Sequence, residues 1–376
     1  MSRVTLSLLL TAAGVVVAQA PTFICNPPLF SLQFDYPSGI PQQVEPQAQG
    51  RGPQSGYNVC NSTTQNQDSM CQTALVNHID DFCLWAPPTG PTSIGDSEAD
   101  EVAWCTQNKY GTRLIPEGTI TGIQLLQAPT YNMIFAFVDQ TKLNMFANDT
   151  GGELDPRGAD LCGNPLGGLL FSNNLPLSGN KDNSTYTQVG DWTQFIGNGI
   201  ACMKWCDPKD PDAANYCYNQ LDRVGIDYVC PQNAQNGTFE VCESDPMQFP
   251  GVYVTNGVTT SYTQPPESLG PITTMPYSAS IPASSNCVTY QSSDLFAALP
   301  TISGAATSGA SSGSGSGAPA AATGKPSSGA SASGSRTGSA SAAPTGGSAQ
   351  PGGAGALRAS AFATVASVVF AVAFFA

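Results

Sequence analysis

Thr119-Ile-Thr-Gly-Ile-Gln-Leu-Leu126 and Tyr131-Asn-Met-Ile-Phe-Ala-Phe-Val-Asp139 are two apolar, β-prone runs set around the break Gln127-Ala-Pro-Thr130. Ile, Thr, Phe, Tyr and Val suit a pleated, half-buried surface, and the proline-containing break between the runs reverses the chain. Together they predict a β-hairpin. Val252-Tyr-Val-Thr255 is a third strand-like run, and Gly, Pro and Asn punctuate the rest. Two helices are expected among the strands. One covers residues 68–76; the other covers residues 212–223, with Asp212 as N-cap, Gly225 beyond its end, and Tyr216, Tyr218 and Leu221 along it. The expected fold class is mainly β with a few short helices (α+β), without an internal repeat.

The cysteines say what holds such a fold together. There are 12: Cys25, Cys60, Cys71, Cys83, Cys105, Cys162, Cys202, Cys206, Cys217, Cys230, Cys242 and Cys287. An even count in an exported chain reads as a disulfide framework. Clustering suggests that Cys202, Cys206, Cys217, Cys230 and Cys242 bond largely among themselves. Cys202 and Cys206 are close enough to suggest a metal, but zinc sites favour paired Cys-x-x-Cys or Cys/His sets. The chain has one histidine, His78, so neither a metal nor a cofactor is expected.

Both ends carry addresses. Residues 1–18 have a positive start at Arg3, an apolar run and the small residues Val16 and Ala18 before a cleavage point, which predicts a secretory signal and Gln19 as the mature N-terminus. Cleavage after Ala20 also fits the small-residue rule, although Pro21 would then follow the scissile bond. Residues 361–376 read AFATVASVVFAVAFFA, sixteen residues without a charge. That is short for a membrane span. A polar spacer precedes it, and small residues precede the spacer, as a glycolipid (GPI) attachment signal requires. Gly352 is the first candidate for attachment and Ser348 the second. Residues 353–376 would then be removed, leaving membrane contact through the lipid alone, on the outer face of the plasma membrane or in the cell wall.

Between head and anchor lies a stalk, residues 301–352. From Ser303 to Gly353, 48 of 51 residues are Ser, Gly, Ala, Thr or Pro. Such a tract buries no apolar surface and is expected to be disordered and open to O-glycosylation. It also contains Gly309-Ala-Ser-Ser-Gly313, which matches G-x-S-x-G by composition alone, since that motif needs a strand–turn–helix setting. Residues 19–300 are thus the disulfide-bonded ectodomain. Four sequons, at Asn61, Asn148, Asn183 and Asn236, sit in polar, turn-rich stretches. All 27 acidic residues fall in the ectodomain against nine basic ones, a balance of −18. That charge excludes nucleic acid and anionic membrane surfaces as partners.

Three blocks carry a resemblance. They are Trp104-Cys-Thr-Gln-Asn-Lys-Tyr-Gly-Thr-Arg-Leu-Ile-Pro-Glu-Gly-Thr119, Asp155-Pro-Arg-Gly-Ala-Asp-Leu-Cys-Gly-Asn-Pro-Leu-Gly-Gly168, and the positions Cys217, Gly225, Cys230, Gly237, Cys242 and Gly251 with their neighbours. In these the ectodomain resembles fungal secreted proteins described as macrophage-activating glycoprotein-like. The resemblance implies a GPI-anchored or wall-associated fungal glycoprotein and brings no catalytic residue with it.

The residues able to do chemistry are few. His78 would have to serve any Ser-His-Asp device. Asp155 and Asp160, with Arg157 between them, and Glu240, Glu243 and Asp245 are candidate paired carboxylates of the kind a glycosidase uses. Asp207, Asp210 and Asp212 read as a solvated, helix-capping loop rather than a calcium loop. Trp85, Trp104, Trp192 and Trp205 stand mostly beside cysteines and read as core, although exposed tryptophans would stack on sugars. No catalytic residue is assigned. The expected function is a structural or interaction role at the cell surface or wall, with wall polysaccharide or other surface proteins as partners. The alternative is a polysaccharide-binding or carbohydrate-active protein working through tryptophan faces or paired carboxylates.

Overall fold

The computed structural model describes residues 23–47, 50–178, 184–296 and 299. The expected signal, stalk and attachment segment, with Gly352, Ser348, the 309–313 motif and the Asn183 sequon, lie outside the described residues.

Two mixed sheets make the body. The first holds β1 (Thr73–His78), β2 (Asp81–Ala86), β3 (Val102–Cys105), β4 (Arg113–Leu114), β8 (Leu169–Ser172) and β9 (Thr187–Gln188), in the order β4-β3-β2-β1-β8-β9. The second holds β5 (Ile120–Gln127), β6 (Tyr131–Val138), β7 (Gly152–Leu154), β10 (Trp192–Gly197), β11 (Ile200–Cys206), β12 (Phe239–Ser244) and β15 (Ser284–Thr289), in the order β15-β12-β5-β6-β11-β10-β7. A separate ribbon pairs β13 (Val252–Thr255) with β14 (Val258–Ser261). Most neighbours are antiparallel, but β1 runs parallel to β8, β3 to β4, and β5 to β12.

The hairpin of β5 and β6 forms as the sequence predicts, with Leu125 opposite Ile134 and Gln127 opposite Asn132. Side chains alternate faces along a strand, and here both faces are apolar. Ile123, Leu125, Ile134, Ala136, Met203 and Trp205 pack in one core with Leu75, Phe82, Leu84 and Trp85 of the first sheet. The alternate residues Leu126, Tyr131, Met133, Phe135 and Cys202 pack in a second core with Leu221, Val224 and Val229. The second sheet is therefore the middle of three layers, and its near-continuous apolar runs follow from burial on both sides.

Two expected helices are corrected. Residues 68–76 make no helix; from Thr73 they become β1, and Ala74, Leu75 and Val76 are wholly buried. A short apolar run is ambiguous between helix and strand, and the parallel partner Leu169–Phe171 settles it. The helix expected over residues 212–223 is only the single turn α2 (Ala213–Tyr216). Asp212 stands at its N-cap position but makes no capping bond, and Cys217 leaves helical geometry where it bonds Cys206. The other described helices are single turns too: α1 (Ile94–Ser97), α3 (Ile226–Val229) and α4 (Ser292–Leu295).

All twelve cysteines form disulfides: Cys25–Cys162, Cys60–Cys71, Cys83–Cys105, Cys202–Cys230, Cys206–Cys217 and Cys242–Cys287. Two of them staple the α2–α3 layer to β11. Cys242 departs from the expected local cluster: β12 and β15 are neighbours, and Cys242 pairs across them with Cys287.

Candidate functional site

Four of the five candidate carboxylates are drawn into the fold's own bonds, and Asp245 makes only backbone bonds among the described residues. Asp155 Oδ1 accepts from the Arg157 and Gly158 backbone N–H groups at 2.7 and 2.9 Å and from Asn219 Nδ2 at 3.0 Å. Asp160 takes both arms of Arg51, at 2.9 and 2.7 Å. Arg157, which lies between these two aspartates in sequence, pairs with Asp191 at 2.6 Å and lies over the Phe30 ring. Glu240 accepts from Gln124 Nε2 at 2.6 Å, and Glu243 from Asn286 Nδ2 at 2.7 Å.

The 207–212 loop is not uniformly solvated. Asp207 is fully buried and accepts from the N–H groups of Leu177, Ser178 and Lys209 and from the Ser178 hydroxyl. Its work is to fix two loops against each other. Two groupings of acidic and cysteine side chains, Glu45 with Cys25 and Cys162, and Glu240 with Cys242 and Cys287, come within ligand distance of one another. Their sulfurs are disulfide-bonded and offer no thiolate.

All four tryptophans are buried, none more than 4% exposed, and Trp85 stacks on Trp192 at 6.0 Å between centroids. A tryptophan face for sugar is therefore absent among the described residues. The partly exposed aromatic cluster is made of tyrosines, which the sequence reading missed. Tyr253 and Tyr277 stack at 4.8 Å and 5°, and Tyr228 meets Tyr277 edge-on at 5.3 Å. These rings are half-buried, beside the β13–β14 ribbon whose Val254 and Val258 are exposed. The signal was Asn256-Gly257, a two-residue turn with both φ angles positive (51° and 78°).

A second feature gathers residues distant in sequence. A cleft of about 390 Å³ opens where β1, β5 and β12 meet, and it contains the only histidine. Leu125, Val241, Ile79 and Leu295 line its apolar part; His78, Asp80, Gln127 and Tyr290 bring polar groups. His78 Nδ1 lies 3.3 Å from Asn174 Nδ2, and that amide also donates to Asn77 O at 2.8 Å. With the amide donating, the ring accepts at Nδ1 and carries its proton on Nε2.

Buried ionisable groups elsewhere are strongly perturbed. Burial raises Glu101 and Glu153 well above the carboxylate range; each accepts one hydroxyl, from Ser97 and Thr193 respectively. Burial lowers the Lys204 ammonium to about 7, against the opposing pull of Glu153. Lys204 Nζ donates to Val229 O at 2.6 Å, which ties β11 to α3. Glu45 is raised to about 7, first by burial and then by Asp160.

Asn61, Asn148 and Asn236 are exposed. At Asn61 the sequon threonine folds back, with Thr63 N and Oγ1 both donating to Asn61 Oδ1 at 2.9 and 2.7 Å. Among the described residues, no helix is long and apolar enough to cross a membrane.

These features define a disulfide-fastened β protein with an acidic, sequon-bearing surface. Over 217 residues it is 36% identical to the appressorium protein ROW2 of Mycosarcoma maydis, covering 57% of this chain and 72% of that one, and the chain belongs to the ROW2 family. It is also 41% identical over 204 residues to the appressorium protein ROW1 of the same organism, covering 54% of this chain. The matched region spans about half of ROW1, 46% of its length. No family model matches the chain. No solved structure matches it either. The fungal side of the resemblance is thereby supported, under a different description of the relatives.

Proposed function

We propose that this chain is a non-catalytic glycoprotein of the fungal cell surface or cell wall, acting by contact rather than by turnover. The observation that carries this reading is membership of the ROW2 family, whose namesake is an appressorium protein. The engagement of Asp155, Asp160, Glu240 and Glu243 in hydrogen bonds within the fold supports it. In this reading the head carries N-glycans on Asn61, Asn148, Asn183 and Asn236, and a GPI anchor at Gly352 or Ser348 holds it outside the cell. Phosphatidylinositol-specific phospholipase C, applied to intact cells, tests the placement. Release of the protein into the medium is the expected result; retention with an intact C-terminal apolar segment would overturn it.

A second reading has its own observation. The half-exposed rings of Tyr228, Tyr253 and Tyr277 form an aromatic surface beside exposed valines, suited to lie along a neutral wall polysaccharide. Tyr253 is the residue to change, because the Tyr277 hydroxyl also accepts from Gly251 N. Tyr253→Ala is expected to lower retention on insoluble glucan or chitin; unchanged retention, or none by the unaltered protein, removes this reading.

A further inference from the structure

We infer that the cleft between β1, β5 and β12 binds the end unit of a neutral saccharide. The argument starts from which polar side chains the fold uses. Many buried amides and carboxylates are spent on the backbone: Gln54 and Gln72 bond the loops around them, Gln194 bonds β2, and Asp207 bonds two loops. The cleft's polar side chains are differently placed: His78, Asp80 and Gln127 are half-buried and Tyr290 is exposed, all open to a ligand. The Asp80 carboxylate, the Gln127 amide and the Tyr290 hydroxyl make no side-chain hydrogen bond with any described residue, and His78 uses only Nδ1. Four different polar functions thus share one cleft, each with bonding capacity left over.

Their chemistry selects the ligand. A carboxylate accepts two hydroxyls, a primary amide donates and accepts, and a phenol and an N–H imidazole each add a donor. Leu125, Val241, Ile79 and Leu295 supply an aliphatic surface beside them. A hexose presents this combination, with hydroxyls around its edge and a C–H face that packs on aliphatic and aromatic side chains. A hydrocarbon ligand would cover the four polar groups without bonding them, which disfavours it. Anions are disfavoured by Asp80 and by the ectodomain's balance of −18. The volume, about 390 Å³, lies in the range of small-molecule pockets.

The placement also makes sense of the topology. His78 ends β1, Gln127 ends β5, and Asn174, two residues past the end of β8, holds the imidazole. Parallel pairing of β1 with β8 brings the C-terminal ends of those two strands side by side. The lining therefore comes from the ends of strands in both sheets, which the core fixes rigidly.

This site is separate from the tyrosine surface and does not depend on it. The test is titration calorimetry on the full chain with its disulfides formed, using β-1,3-glucan, chitin and mannan hexasaccharides as probes. At least one is expected to bind with a sub-millimolar dissociation constant. Asp80→Asn and Gln127→Ala, both altering side chains without a hydrogen-bond partner among the described residues, are each expected to weaken it about tenfold at unchanged melting temperature. Tyr253→Ala is expected to leave it unaltered. Failure of all three probes overturns the inference, as does unchanged affinity in the Asp80→Asn/Gln127→Ala double variant. Loss of binding on Tyr253→Ala alone would assign the sugar to the tyrosine surface instead. Binding only of a chitosan hexasaccharide, added as a cationic control, would show an ammonium site at Asp80 and overturn it too.

Discussion

Gln194 of β10 makes with Trp85 of β2 the pair of bonds that a neighbouring strand would make: its Nε2 donates to Trp85 O at 2.7 Å, and its Oε1 accepts from Trp85 N at 2.8 Å. One side chain thereby links the two sheets through backbone groups that are wholly buried. Where β1 and β2 meet, their pairing is confined to Val76–Phe82 and His78–Asp81, and Gln194 satisfies the β2 backbone beyond that stretch.

Gln194→Met keeps the volume and removes both bonds. Leaving a buried N–H and a buried C=O unpaired should lower stability by roughly 2–6 kcal/mol. Urea unfolding followed by tryptophan fluorescence measures it. A loss under 1 kcal/mol, on the order of a single surface substitution, would mean that the two groups find other partners.

Stability should rise as the medium turns acid. Burial raises the carboxyls of Glu45, Glu98, Glu101, Glu153 and Asp155. Each then binds its proton more readily folded than unfolded, so folding gains as pH falls, and the gain is complete below the unfolded value near 4. For Glu45 the gain fades as pH climbs from its ordinary carboxyl value of 4.5 to about 7. Lys204 acts with the opposite sign, but its effect develops between the ordinary lysine value of 10.5 and about 7 and is constant below that. Between pH 7 and pH 5 the carboxyls therefore govern, and the melting temperature should be higher at pH 5. Glu45→Gln should flatten that slope.

The α2–α3 layer should loosen separately from the sandwich. Replacing Cys206 and Cys217 by Ser removes a link spanning 11 residues and should cost about 2–4 kcal/mol. Hydrogen exchange should quicken in α2, α3 and the segment between them, while the β5–β6 amides stay protected. Uniform quickening through both sheets would contradict an independent layer.

The exposed sequons should all be accessible to modification. Asn61→Gln, Asn148→Gln and Asn236→Gln are each expected to speed gel migration by one glycan step, and an endoglycosidase should erase the differences. A variant that migrates as the parent identifies an unused site.

What could be read in the sequence was local. Residues 119–139 announce the hairpin because its strands are adjacent and its turn contains proline. Tryptophans next to cysteines announce the core. The helix expected over residues 68–76 fails because Thr73–Leu75 pair with Leu169–Phe171, far along the chain, and nothing in Ala74-Leu75-Val76 records a parallel neighbour. The 212–223 segment has helical composition, and a covalent bond at Cys217 cuts it short. The cleft was invisible for the same reason as β1: His78, Gln127 and Tyr290 meet only through long-range pairing. His78 could be singled out as the lone histidine, but its neighbours could not be named from spacing.

The Cys242–Cys287 bond has a mechanical consequence. A pull arriving from beyond Leu299 would first undock that residue and α4, with Phe296 leaving its edge-on contact with Phe239. It would then unzip β15 from its end, but only through Thr289 and Val288 before reaching Cys287. From there the tension crosses a covalent bond into β12, which lies in register with β5 from Phe239–Ile123 to Glu243–Gln127. Force would have to shear that parallel pair as a block instead of peeling it one bond at a time, so the fold should tolerate tugging from its C-terminal side far better than its exposed edge strand suggests.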